Sequence, residues 1–212
     1  MKNPYKIAII DYNMSNMFSI KNALDLLNYE SIVTSDKNKI LAADGIIIPG
    51  VGSYPEAMKE LNRLNLPKTL EKFIITGKPL LGICLGFQLF LEESEEFETT
   101  KGLGFFKGRV RNFKDVSKGI KVPHIGWNNV IKNTNYRNTK DPIISLKNRE
   151  HFYFVHSYFA ETSDLNTIYL STEYNGFSFT SSIVKENIFG FQFHPEKSGI
   201  MGINLLKEIF QR

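Results

Sequence analysis

Residues 78–88 read Lys78-Pro79-Leu80-Leu81-Gly82-Ile83-Cys84-Leu85-Gly86-Phe87-Gln88. The run 78–84 has the length and apolar character of a buried strand, and 85–95 reads as a helix. Cys84 sits at the junction, in the pattern G-x-C-x-G. Glycines two residues to either side suit a turn so sharp that a Cβ would not fit. Such an elbow pushes the cysteine out at the carboxyl end of the strand, where open α/β sheets bind ligands. The following helix N-terminus favours a thiolate there. A lone cysteine is commonly buried and inert; the flanking glycines argue for a nucleophile instead.

Upstream, residues 5–11, 31–34 and 44–50 read as strands, and 16–28, 54–64 and 67–76 as helices with one apolar face. Strands alternating with helices predict βαβ units, a mostly parallel, doubly wound sheet with helices on both faces. After residue 100 strand-like pieces follow one another: FFKGRVRNF, FYFVHSYF, TIYLS, FSFTSSIV and NIFGFQFH. The last two flank Lys185-Glu186 as a hairpin. In NIFGFQFH the phenylalanines alternate with Gly190 and Gln192, as a strand with one buried face requires. A helix over 202–210 follows. The C-terminal half is thus antiparallel-rich, and no linker divides it from the first, so residues 1–212 are expected to form a single domain.

The 212 residues carry 42% hydrophobic and 23% charged side chains, which excludes general disorder. One cysteine excludes a disulfide framework or a multi-thiolate metal site. No apolar run approaches the roughly 20 residues of a membrane span, and the first residues lack a signal-peptide core. A cytoplasmic protein is expected, with no membrane association. The net charge of +4 rests on 20 Lys and only 6 Arg, a poor composition for base reading, so no nucleic acid partner is expected. Residues 101–150 hold 12 basic and 3 acidic side chains, either a solvated face or a docking face.

A thiolate nucleophile needs a base and an orienting group. His194 ends a strong strand pattern in Gln192-Phe193-His194-Pro195-Glu196. Glu196 is near enough to fix its tautomer, as the third member of a triad does. His156 is the second candidate base; His151 reads as surface, and His124 as a loop residue of undecided role. Acyl transfer also needs oxyanion donors. Pro49-Gly50-Val51-Gly52 ends the third strand, and Gly50, Val51 and Gly52 can turn their amides toward a ligand. The Leu85 amide, after the elbow residue, is the other candidate.

PGVGSYPEAM, LLGICLGFQLFLEESEE, KVPHIGWN, FYFVHSYF and GFQFHPEKSG together resemble a class I glutamine amidotransferase, more closely the glutaminase subunits of imidazole glycerol phosphate synthases. The resemblance implies hydrolysis of glutamine to glutamate and ammonia by Cys84, His194 and Glu196. It implies that Gln88 and Glu96 hold the amino-acid end of glutamine and that Ser157 and Tyr158 line the pocket. It further implies a (β/α)8-barrel cyclase partner in a heterodimer. That partner would use the ammonia to make imidazole glycerol phosphate and an aminoimidazole carboxamide ribonucleotide in histidine biosynthesis. No metal and no organic cofactor are expected.

One segment departs from the family pattern D-Y-G-x-G-N-L. Here it is Asp11-Tyr12-Asn13-Met14-Ser15-Asn16-Met17, with both glycines replaced. Asn13 tolerates left-handed backbone, and Ser15 suits a helix cap. The departure admits a paralogue that feeds another acceptor, such as a surface-polysaccharide sugar. Two further alternatives are a γ-glutamyl peptide hydrolase or other cysteine hydrolase, and a non-enzymatic regulatory or redox-sensing subunit.

Overall fold

The computed structural model describes residues 5–14, 17–116, 118–134, 136 and 143–211. The first half runs β1 (Lys6–Ile10), α1 (Met17–Leu26), β2 (Glu30–Thr34), α2 (Lys37–Ala42), β3 (Gly45–Ile48), α3 (Tyr54–Arg63), α4 (Pro67–Ile74), β4 (Leu80–Ile83) and α5 (Leu85–Gln88). Then follow β5 (Glu93–Ser94), β6 (Thr100–Lys101), β7 (Gly108–Asn112), α6 (Phe113–Val116), β8 (His124–Asn129) and β9 (Ile131–Lys132). The chain closes with β10 (His151–His156), β11 (Tyr158–Thr162), β12 (Ile168–Tyr174), β13 (Phe177–Lys185), β14 (Ile188–Phe191) and α7 (Gly199–Phe210).

The main sheet has the order β2-β1-β3-β4-β14-β13-β11-β7-β5-β6, with β12 on β13 and β9 on β12. From β2 to β14 every pairing is parallel. β13 and β11 continue the sheet antiparallel. Strand alternation sorts the core into two layers. Ile7, Ile9, Ile47, Leu81 and Ile83 pack with Ile20 and Leu24 of α1 and Leu205 and Ile209 of α7. Ala8, Ile10, Ile46, Ile48 and Leu80 pack with Ile40 of α2, Leu61 of α3 and Leu70 of α4. The sheet therefore lies between two helical layers, as the βαβ succession requires. No helix among the described residues is long and apolar enough to cross a membrane.

Four local readings are corrected. The helix expected over 85–95 stops at Gln88. The carbonyls of Leu89, Phe90 and Leu91 accept from the amides of Leu103, Phe106 and Gly104, so a neighbouring loop takes the bonds a longer helix would need. FYFVHSYF is two strands broken at Ser157: β10 pairs only with β8 in a separate two-stranded sheet, while β11 joins the main sheet. Helix α2 was not foreseen; its first turn is capped by Asp36, which accepts from the Asn38 and Lys39 amides. Finally, Gln192 has no solvent face. Ile188–Phe191 is buried throughout and Gln192 is 0% exposed, because the strand lies inside the sheet with layers on both sides.

At the departure from the family pattern, Asn13 adopts φ 65°, the left-handed geometry that the missing glycine would have used. Ser15 lies outside the described residues, as do Arg137 and Lys140 of the basic stretch.

Candidate active site

The parallel pairing of β4 with β14 sets the geometry of the site. Ile83 lies opposite Phe191, and the Cys84 amide donates to the Phe191 carbonyl at 2.8 Å. Cys84 and the segment leading to His194 thus leave the sheet side by side. Cys84 has φ 55° and ψ −112°, a strained conformation for a residue with a Cβ. The elbow is held by close packing: a Cβ on Gly82 would come within 2.6 Å of the Phe90 ring, and one on Gly86 within 1.9 Å of the Ile48 carbonyl oxygen.

Every sequence-designated site residue except Glu196 lines one cavity of about 310 Å³: Gly50, Val51, Gly52, Cys84, Leu85, Gln88, Glu96, Ser157, Tyr158 and His194. Pro123, Val155 and His156 complete the wall. Glu196 stands behind His194, its Oε1 2.7 Å from Nδ1, and both side chains are almost fully buried. That bond places a proton on Nδ1, and among the described residues Nε2 has no hydrogen-bond partner of ordinary geometry. Burial disfavours the imidazolium, but the neighbouring Cys84 and Glu196 outweigh it and push His194 up to about 10. A thiol nucleophile, an imidazole and a carboxyl group in this order can carry out nucleophilic attack and then protonate a leaving group.

The oxyanion candidates differ. The Leu85 amide opens α5, where the helix itself offers it no acceptor. The Val51 amide already donates to the Met14 carbonyl at 2.9 Å, so it is committed elsewhere in this conformation. Tyr12 donates its hydroxyl to the Pro49 carbonyl and ties the same segment down. Glu96 accepts from the Tyr54 amide at 2.7 Å, and partial burial raises its carboxyl above the ordinary range. The five glutamates of 92–98 lie beyond the end of α5; Glu96 is buried, whereas Glu92, Glu95 and Glu98 are exposed.

His156 is not a competing base, because both ring nitrogens are occupied. Nδ1 lies 2.8 Å from the Tyr158 carbonyl, and Nε2 2.9 Å from Nδ1 of His124. His124, read as a loop residue, is instead the buried first residue of β8. A carbonyl only accepts, so His156 carries its proton on Nδ1 and its Nε2 accepts a hydrogen bond from the Nδ1–H of His124: both rings are neutral. Burial lowers His124 to about 4; burial, then the neighbouring His124, lower His156 to about 3. The ordinary value is 6.5. Below about pH 6.5 the unfolded chain therefore binds protons that the folded chain refuses, and stability falls as the pH falls toward 4. Each histidine contributes a slope of up to about 1.4 kcal/mol per pH unit. Urea unfolding at pH 6.5, 5.5 and 4.5 measures it, and His124→Phe should reduce it. An unfolding free energy that is flat across this range, or a slope unaltered in His124→Phe, would contradict the neutral pair.

The Glutamine amidotransferase class-I family model matches residues 8–211. The chain belongs to this family. As a class I glutamine amidotransferase it is an enzyme that uses glutamine as its nitrogen donor. Among similar proteins is the "Imidazole glycerol phosphate synthase subunit HisH" of Listeria monocytogenes serotype 4b, 46% identical over 95% of this chain and 93% of that protein. The protein of the same name from Bacillus cereus strain G9842 is 44% identical over 95% of this chain and 92% of its own length. Among solved structures, PurLQS from Thermotoga maritima superposes with a TM-score of 0.73 at 22% identity, covering 98% of this chain and 96% of that one. A structure described as a glutamine amidotransferase gives 0.71 at 14% identity, covering 97% of each chain. At these identities the superpositions speak for the amidotransferase fold alone.

Gln192 was missed. The available signal was a polar residue two positions before the histidine in a strand whose apolar neighbours on both sides are buried. The alternating pattern concealed it by suggesting a solvent face.

Proposed function

We propose that this chain is the glutaminase half of an imidazole glycerol phosphate synthase. The observation that carries the reading is a cysteine elbow, a His194–Glu196 pair and two head-group residues converging on one cavity. Cys84 attacks the side-chain carboxamide of L-glutamine: a C–S bond forms, and the C–N bond breaks as His194 gives its proton to the departing ammonia. His194 then takes a proton from water, which attacks the thioester and releases glutamate. Glu196 holds the ring and balances its charge. Leu85 and the segment Gly50–Val51–Gly52 supply oxyanion donors. Glu96 and Gln88 hold the amino-acid end of the substrate by accepting from its α-ammonium, with Ser157 and Tyr158 along the wall.

The names of the Listeria and Bacillus relatives support a partner subunit; in this reading the ammonia passes to it, and it is a (β/α)8-barrel cyclase. Ile125 and Trp127 on β8 are 59% and 58% exposed, an apolar surface suited to a subunit contact. Of the basic stretch, Arg109 and Arg111 pair with Glu95 and Glu161, so among the described residues docking charge would come from its lysines and the exposed Arg149.

Because the Val51 amide is bonded to Met14, the chain alone is expected to turn over slowly. Coexpression with the cyclase subunit of the same organism should give a stable complex. Adding the partner and its nucleotide ligand should raise glutamate release about 100-fold or more, the effect of one added oxyanion donor. Failure of the two chains to associate, with full glutaminase activity in the isolated chain, would refute the proposal.

A further inference from the structure

We infer that Gln192 is a positioning residue for the nucleophile, linking the residue that holds the substrate's head group to the sulfur that attacks it. The inference rests on Cys84 being the nucleophile and goes beyond that assignment. Along β14 and the residue that follows it, positions 188, 190 and 192 point to the α5 side: a Cβ on Gly190 would meet the Phe87 ring, and Gln192 meets Gln88. Gln88 Nε2 donates to the Tyr158 carbonyl at 2.9 Å and to Gln192 Oε1 at 3.0 Å. Both its amide protons are used, which leaves Gln88 Oε1 to accept from a ligand. The same bond orients the Gln192 amide. With Oε1 turned to Gln88, Nε2 is turned to Cys84 and lies 3.8 Å from Sγ.

Beside the titratable His194 ring and the buried Tyr12 hydroxyl, Sγ has two uncharged polar neighbours that read its two protonation states. The Val155 carbonyl, 3.7 Å away, accepts from the thiol and repels the thiolate. The Gln192 amide donates to the thiolate and offers the thiol little. Gln192 is 0% exposed, so no water substitutes for it. Its N–H thus favours the reactive form, and Gln88 holds that N–H in place.

The test is alkylation of Cys84 by iodoacetamide, followed by mass across pH 5–9 in the full chain, where it is the sole cysteine. Gln192→Met removes donor and acceptor without adding charge and carries the test; Gln192→Glu keeps an acceptor for Gln88 but replaces the donor with a carboxyl group, whose charge itself opposes a thiolate. A hydrogen bond to a charged atom predicts that each variant's reactivity midpoint rises by about one pH unit, with about ten-fold slower labelling on the acid side. In the complex, kcat should fall while KM for glutamine changes less than about two-fold in Gln192→Glu. Folded variants with the unaltered pH profile would overturn the inference. Should neither variant fold, the side-chain amide NMR signal of Gln192 in the unaltered chain decides: it must move with the Cys84 titration, and a fixed signal overturns the inference. An active Cys84→Ser would remove the nucleophile itself, whereas an inactive one with unaltered Gln192 profiles removes this inference alone.

Discussion

Cys84→Ser is expected to lower glutamine-dependent turnover of the assembled complex by about four orders of magnitude or more, while turnover supplied with free ammonia persists. The first reason is that a hydroxyl is a far weaker acid than a thiol, so the nucleophilic anion is scarce. The second is specific to this site. His194 is buried, and its proton is retained only because Cys84 and Glu196 outweigh that burial. A neutral hydroxyl leaves Glu196 alone to offset it, so the protonated ring that must deliver a proton to ammonia is less populated, and the nucleophile and its proton donor become scarce together. Glutamate release and ammonia-driven product formation, measured on one preparation, separate loss of chemistry from loss of folding. Glutamine-dependent turnover near the wild-type rate would remove Cys84 from the mechanism.

The elbow, the candidate residues His194 and Glu196 and the alternating first half were legible because each rests on local patterns: glycine spacing, a proline-ended strand, and apolar residues at period 2 or 3.6. What was not legible depended on partners distant in sequence. Nothing between Leu85 and Glu95 marks the end of α5 at Gln88; the donors that stop it come from Leu103, Gly104 and Phe106. Ser157 carries no turn signal strong enough to split FYFVHSYF, and the split arises because β10 and β11 find partners in different sheets. Gln192 looked like an outward residue because alternation alone does not say how many faces are covered. The bond from Val51 to Met14 is likewise a tertiary fact, and it alters what the P-G-V-G segment offers an oxyanion.

Gly86→Ala tests the packing that makes the elbow. In an exposed helix this change would stabilise, since alanine is the better helix former by about 1 kcal/mol. Here the added Cβ would lie 1.9 Å from the Ile48 carbonyl oxygen, 2.7 Å from its carbon and 2.9 Å from the Pro49 oxygen. All three are backbone atoms of the segment that carries the oxyanion glycines, so no side chain can swing aside. Relief requires α5 to move away from β3, and the cost of such overpacking reaches about 3 kcal/mol or more. The clash outweighs the helix propensity, and for a chain of this size the melting temperature should fall by roughly 10 °C. Gly104→Ala is the control. Its φ is +69° but nothing lies within 4 Å of the new Cβ, so only the backbone strain of about 1 kcal/mol is incurred. The displacement in Gly86→Ala also moves the Leu85 amide relative to Gly50, whose own Cβ would lie 2.6 Å from the Gly86 nitrogen. Glutaminase activity of whatever fraction stays folded should therefore fall further than stability accounts for. A Gly86→Ala chain that melts no lower than the Gly104→Ala chain would mean that the contact between α5 and the end of β3 is not what holds Cys84 in its strained conformation.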